Sequence, residues 1–171
     1  MQYWWVTANL YAEEHCWHWN RFFKDPSDDD NSVWGCGWIR EATSLVHIGE
    51  MEKWDIVVAY QATECNILGL AYLRRGGFRR RRKEKDSFKL GWEKFVRLLT
   101  PVPLSEIQAL NPRQADIEYV HKHMGSVFSL SSQGFGTIRN VMYRMNPNQA
   151  EEIRSFIAWA KGKQSEGDTQ E

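Results

Sequence analysis

The sequence predicts an α+β domain built around a curled sheet or small barrel, and three observations carry that expectation. Short β-branched and aromatic runs recur at irregular spacing, helical patterns lie near both ends, and no internal repeat is present. With 171 residues, 42% hydrophobic and 26% charged, the chain has the length and composition of one ordinary globular domain. That domain is expected over residues 1–161, with a polar, disordered tail at 162–171.

Taken in order, Tyr3–Thr7 (YWWVT) reads as a first strand that Asn9 ends. Glu13–Phe23 sets Cys16, Trp19 and Phe23 at helical spacing, with Trp17 on another face. Lys24–Ser32 is a solvated loop, Val33–Trp38 (VWGCGW) is too glycine-rich for a helix interior, and Glu41–His47 suits a short helix. Asp55–Gln61 (DIVVAYQ) is the clearest strand, and Asn66–Leu73 (NILGLAYL) is its hairpin partner across the turn Ala62–Cys65. Gly76-Gly77 then opens a basic loop running to Ser87, and Glu93–Leu104, with two prolines near its end, suits a sheet edge. Leu104–Leu110 and Arg113–His123 read as short helices. Ser126–Arg144 holds strand-like pieces around Gln133-Gly134-Phe135-Gly136. Asn146-Pro147 starts a last helix with Ile153, Phe156, Ile157 and Ala160 on one face.

Composition narrows the function classes. No apolar run is long enough to span a bilayer, and the first residues lack the basic flank and cleavage site of a signal peptide. Three sparse cysteines, Cys16, Cys36 and Cys65, argue against a disulfide framework and for a reducing cytoplasm. The formal net charge is zero, yet Asp28-Asp29-Asp30 and the Arg74–Lys85 run are separate blocks of opposite sign. A local basic patch is what a phosphate chain would feel.

Nine tryptophans are an unusual load, because each indole needs a large pocket and an N–H partner. Trp4, Trp5, Trp54 and Trp159 read as packing residues. Trp34 differs, since flanking glycine lets the backbone come close to a ligand and leaves the ring face open. A base stacked on such a ring gains about 1–3 kcal/mol. Trp17, Trp19 and Trp38 are candidates for a second wall, and two aromatic faces suit an extruded base. The run RRGGFRRRRKEK carries seven Arg or Lys before its first acid, and Arg74, Arg75, Arg79, Arg80, Arg81 and Arg82 are the expected phosphate contacts. No metal is expected: His15, Cys16, His18 and Cys36 fit no standard zinc spacing, and His121 and His123 point apart on a helix. No P-loop, GxSxG or HExxH pattern is present, so no catalytic residue and no cofactor are assigned.

The ordered series YWWVTAN, VWG, EKWDIVVAYQ, NILGLAYL, FVRLLTPVPLSEI and SSQGFG resembles the EVE and YTH families of the PUA-like superfamily, over roughly Gln2 to Ile157. Their "GD-hydrophobic" strand start is degraded here to Lys53-Trp54-Asp55. The resemblance implies a PUA-like curled mixed β-barrel flanked by helices, without enzymatic activity. YTH domains hold N6-methyladenine in an aromatic cage, and EVE-type domains are associated with modified bases, often in DNA and beside restriction nucleases. Carried over, Trp34 is the first cage tryptophan, Gly35 offers its carbonyl to the modified amine, and Asn9 reads the base edge. Cys36 lies in the same segment, and Ser132-Gln133-Gly134 resembles a "QG" turn at the pocket mouth. In YTH proteins the second wall comes from loops near the later strands, where this chain has its arginine run and Trp92.

The expected function is therefore binding of a modified base, N6-methyladenine or a modified cytosine, in DNA or RNA, by a monomeric module that acts with a fused or separate nuclease. Two alternatives stand beside it. One is a PUA-like protein that reads RNA structure without a modified base. The other is a small ASCH-like hydrolase using Lys53 with Glu50 or Glu52.

Overall fold

The computed structural model describes residues 1–8, 19–20, 33–36, 48–82, 85–110 and 127–167; at 33–36, 75–82, 85–93 and 164–167 it describes the chain path alone. The strands are β1 (Tyr3–Ala8), β2 (Val33–Cys36), β3 (Ile56–Gln61), β4 (Asn66–Arg82), β5 (Lys85–Pro103) and β6 (Val127–Leu130). The helices whose bounds lie within the described residues are α1 (Leu104–Gln108), α2 (Ser132–Met145) and α3 (Ala150–Gly167), with a 3-10 turn at Pro147–Gln149 before α3; residues 19–20 and 48–50 are also helical. All six strands join one sheet in the order β2-β5-β4-β3-β1-β6. Among the described residues only β1 and β3 run parallel, from Tyr3 opposite Ile56 to Ala8 opposite Gln61, so the sheet is mixed. It is curled but open, with β2 and β6 at its ends, the curled sheet of the expected α+β architecture and not a closed barrel. Register shifts between Ala59 and Tyr60 and at four places along β4 supply the added twist.

Both faces of the central strands are covered. On β1, Trp4, Val6 and Ala8 join Val57, Ala59, Leu68, Ala71, Leu73 and Trp19 on one side. Tyr3 and Trp5 join Ile56, Val58, Tyr60, Ile67, Leu70 and Tyr72 on the other, under the three helices. Each of Trp4 and Trp5 thus has its own core, a pattern that period-two alternation permits only in a strand buried on both faces. The helical layer contributes Ile107, Phe135, Ile138, Val141, Met142, Ile153, Phe156, Ile157 and Ala160. The stripe expected on the last helix is therefore the buried one. Among the described residues no helix is long and apolar enough to cross a membrane.

Three local expectations are corrected. The segment around Gln133-Gly134-Phe135-Gly136 is the first part of α2, not strand. Ser131 caps it by accepting the Gly134 N–H at 2.9 Å, and Phe135 stacks on Tyr3 with centroids 4.1 Å apart. Burial of that stripe outweighs the roughly 1 kcal/mol that each glycine costs a helix. Gly76-Gly77 does not open a loop either. It lies at the register shift between Arg75 and Phe78, inside a β4–β5 hairpin paired as far as Arg82 opposite Lys85. The last helix continues to Gly167, past the point where the polar tail was expected to begin.

The two prolines near the end of β5 suit the edge expected over Glu93–Leu104: β4 pairs with one side of that stretch, while β2 pairs only with Phe88–Gly91 before it. Along Arg97–Thr100 the other side is met by side chains. The Leu99 N–H donates to Gln149 Oε1 at 3.0 Å and the Thr100 N–H to Asn146 Oδ1 at 2.7 Å. In return Asn146 Nδ2 donates to the Thr100 carbonyl at 2.9 Å and Gln149 Nε2 to the Arg97 carbonyl at 2.7 Å. Two buried amides at the α2–α3 corner so satisfy an edge that would otherwise present unpaired groups. Pro101, with no N–H to place, follows directly.

Asp55 locks the opposite corner of the sheet. Its buried carboxylate accepts the Gln2 N–H at 2.8 Å, the Trp4 indole N–H at 2.8 Å and the Glu52 N–H at 3.0 Å. One side chain thereby ties the turn before β3 to the start of β1.

Candidate nucleic-acid interface

β5 is the strand that assembles the candidate site. On one side it pairs with β2, setting Val33 opposite Gly91, Trp34 opposite Leu90, Gly35 opposite Lys89 and Cys36 opposite Phe88. On the other it pairs with β4, setting Arg75 opposite Gly91, Phe78 opposite Lys89, Arg79 opposite Phe88, Arg80 opposite Ser87 and Arg81 opposite Asp86. Val33, Gly91 and Arg75 therefore form one cross-strand row, and Cys36, Phe88 and Arg79 another. Adjacent strands lie about 4.8 Å apart, so the backbone at Trp34 runs about 10 Å from the arginine-bearing strand. The facing segment Lys85–Gly91 supplies one acid, Asp86, and two further lysines, so the basic excess is not cancelled across the hairpin. The expected phosphate contacts are thus strand residues beside Trp34 rather than members of a separate loop. Arg74, at the root of the hairpin, is exposed.

The other expected site residues fall elsewhere. Trp19 is fully buried; its indole N–H donates to the Tyr60 carbonyl at 3.0 Å and its backbone N–H to Gln61 Oε1 at 3.1 Å. It belongs to the core: the ring is fully enclosed, so neither of its faces is open to a ligand. Ser132 and Gln133 are exposed on the first turn of α2, which follows β6 at the far end of the strand order from β2, and strand pairing does not bring them to Trp34. Asn9, Trp17 and Trp38 lie outside the described residues. Among the described residues no group of His, Cys, Asp and Glu is placed to hold a metal. The hydrolase candidates are laid out differently from a lysine–acid pair: the Lys53 ammonium sits 4.5 Å from the Trp54 ring centroid, while Glu50 and Glu52 are exposed.

A second aromatic group, which the sequence reading treated as packing only, lies at the root of the β4–β5 hairpin. Trp159 of α3 meets Trp54 edge-on at 5.5 Å and stacks on Tyr72 at 5.2 Å, and Tyr72 stacks in turn on Phe156 at 3.9 Å. The Lys94 ammonium stands 5.5 Å from the Trp159 centroid. Trp54 has a φ of 74°, a left-handed conformation that costs a bulky residue about 1–2 kcal/mol. It occupies the place of glycine in the "GD" pattern, so the readable signal was a tryptophan where the backbone favours glycine. Its N–H donates to the Leu73 carbonyl at 2.8 Å, which fixes it beside Arg74.

Burial pushes the Tyr60 hydroxyl up to about 12, with the nearby Cys65 thiol adding to the shift, and burial also raises Tyr72 and Tyr3. Raised phenol values mean that the folded state holds protons which the unfolded chain releases above pH 10. The stabilisation is complete below pH 10 and is lost as pH climbs toward 12. Denaturant melts should accordingly be flat from pH 8 to 9.5 and lose about 2 kcal/mol between pH 10 and 12. In Tyr60→Phe that loss should shrink, and an unchanged loss would remove Tyr60 from its cause.

By sequence, no family model and no curated protein matches the chain. By structure, it superposes on Rpa0253 from Rhodopseudomonas palustris with a TM-score of 0.63 at 18% identity, covering 86% of this chain and 94% of that one. Human THYN1, solved in complex with DNA containing 5-methylcytosine, superposes with a TM-score of 0.62 at 10% identity, over 83% of this chain and 98% of that one. The DUF55 domain of human thymocyte nuclear protein 1 gives 0.59 at 8% identity, over 82% and 98%. The chain shares the fold of these structures. In this chain the long β4–β5 hairpin adjoins the strand that carries Trp34 through β5, with the arginine-bearing β4 one strand beyond.

Proposed function

We propose that the protein is a non-catalytic reader of nucleic acid that takes a modified base against Trp34 while the arginines of β4 grip the flanking phosphates. One observation carries the reading. β5 pairs with Trp34 on one side and with Arg75 and Arg79 on the other, so a stacking ring and a cationic strand share one stretch of sheet. A pocket ring supplies grip on any base, and a methyl group added to that base gains about 0.8 kcal/mol on burial. Asn9 supplies edge discrimination, and Trp17 and Trp38 are the remaining candidates for the second wall. The methylated DNA bound by human THYN1, which shares the fold, makes cytosine modified at C5 the first ligand to test and N6-methyladenine the second. The module acts as a monomer and directs a nuclease, fused or separate, to the modified site.

The test is a titration of oligonucleotides carrying 5-methylcytosine, N6-methyladenine or the plain bases, as DNA and as RNA. Trp34→Ala should abolish the preference for the modified strand. Neutralising Arg79–Arg82 should weaken modified and plain strands equally and flatten the salt dependence by roughly 3–4 in log–log slope. Full discrimination by Trp34→Ala would end the pocket assignment. Equal affinity of the wild type for modified and plain structured RNA would favour reading of RNA shape instead.

A further inference from the structure

We propose that Lys53, Lys94, Trp54 and Trp159 form a second nucleic-acid contact surface, which holds the phosphodiester backbone flanking the nucleotide at Trp34. The inference rests on the reader function above and extends it to a separate face. Both lysines are exposed, and both tryptophans keep part of their rings outside the core. Each ammonium stands over an indole, 4.5 Å away for Lys53 and 5.5 Å for Lys94. A ring attracts an ammonium through its quadrupole without consuming the N–H donors, so the charge is held in place and its donors still serve a phosphate.

Position supplies the partner. Lys94 lies four residues along β5 from Leu90, the residue opposite Trp34, which is about 13 Å of strand. At 3.4 Å per step that distance spans about four nucleotide steps of B-form DNA. Arg74 stands between, exposed and adjacent to the Leu73 carbonyl that accepts the Trp54 N–H. Cationic residues so succeed one another from Arg79–Arg82 and Arg75 through Arg74 to Lys94 and Lys53. On α3, the stretch from Ser155 to Lys163 that bears Trp159 contains no acid. Of the acids in the Trp54 turn, Asp55 is turned inward onto three N–H groups, leaving Glu50 and Glu52 at the surface. The left-handed Trp54 backbone is an independent pointer, since strain held at a surface position marks a place where a side chain is presented for a purpose.

The experiment compares wild type, K53Q/K94Q and a control, R144Q/R154Q, which removes the same charge from two exposed ion pairs elsewhere. Binding is measured with a fluorescent duplex carrying a central 5-methylcytosine and with its plain counterpart, over a range of salt concentrations. K53Q/K94Q should lose about tenfold in affinity for both duplexes and about 1.8 in log–log salt slope, the value for two phosphates. Its preference for the modified duplex should be retained, and the control should match the wild type. If the wild type discriminates and K53Q/K94Q keeps its affinity and slope, this surface is not a contact and the reading of the Trp34 site stands. If the wild type binds neither duplex nor single strands nor RNA, the reader function fails and this inference with it. Thermal melting of the variants confirms that both exposed replacements leave the fold intact.

Discussion

Trp19→Ala is expected to destabilise the protein by about 4 kcal/mol, because a fully buried indole leaves both a cavity and a carbonyl without its donor. For a chain of this size the melting temperature should fall by about 12 °C. Trp19→Phe keeps most of the apolar volume but cannot donate to the Tyr60 carbonyl, so a loss of about 1–2 kcal/mol is expected. Urea titration at fixed pH separates the two. The binding preference of the Phe variant, measured well below its midpoint, should equal that of the wild type, since a core ring touches no ligand. An alanine variant as stable as the parent would mean that the indole is not packed as described.

Asp55→Ala should cost a similar amount, about 3–4 kcal/mol, through the desolvated N–H groups of Gln2, Trp4 and Glu52. Asp55→Asn is the sharper variant. Its shape is almost that of aspartate, but whichever way the amide turns, its NH2 faces at least one N–H that needs an acceptor. A loss of about 2 kcal/mol is expected from isosteric replacement alone. Chemical denaturation with the Trp4→Phe background included gives the coupling: removing the indole donor should make Asp55→Ala milder, because one fewer N–H is left without an acceptor. Full additivity would show that the Trp4–Asp55 bond carries no weight.

Local pattern was enough for some of this architecture. The β3–β4 hairpin follows from DIVVAYQ and NILGLAYL, and the buried face of α3 from Ile153, Phe156, Ile157 and Ala160 at helical spacing. The misread segments share a cause. At Gly76-Gly77 and at Gln133–Gly136 the glycines argue locally for a loop or broken strand, whereas the outcome was decided by partners far away in sequence, β5 in one case and Tyr3 in the other. Trp19 stood on the same helical stripe as Cys16 and Phe23, a pattern as consistent with a core as with a pocket wall. The pairing of Trp34 with the arginine run was not legible at all, because it exists only through the intervening β5. Trp54 was legible in part: a tryptophan at a glycine position of the motif is visible in the residues, but its partner Trp159 is not.

The place of β1 between β3 and β6 also shapes how the polypeptide emerges from the ribosome. Its neighbours begin at Ile56 and Val127, so β1 is paired on both sides only once Val127–Leu130 has been made. At ordinary elongation rates Trp4 and Trp5 wait roughly ten seconds for Val127–Leu130 to be synthesised. Until then the edge of the YWWV strand that β6 later covers lacks its partner strand, an aggregation-exposed interval that slow translation lengthens.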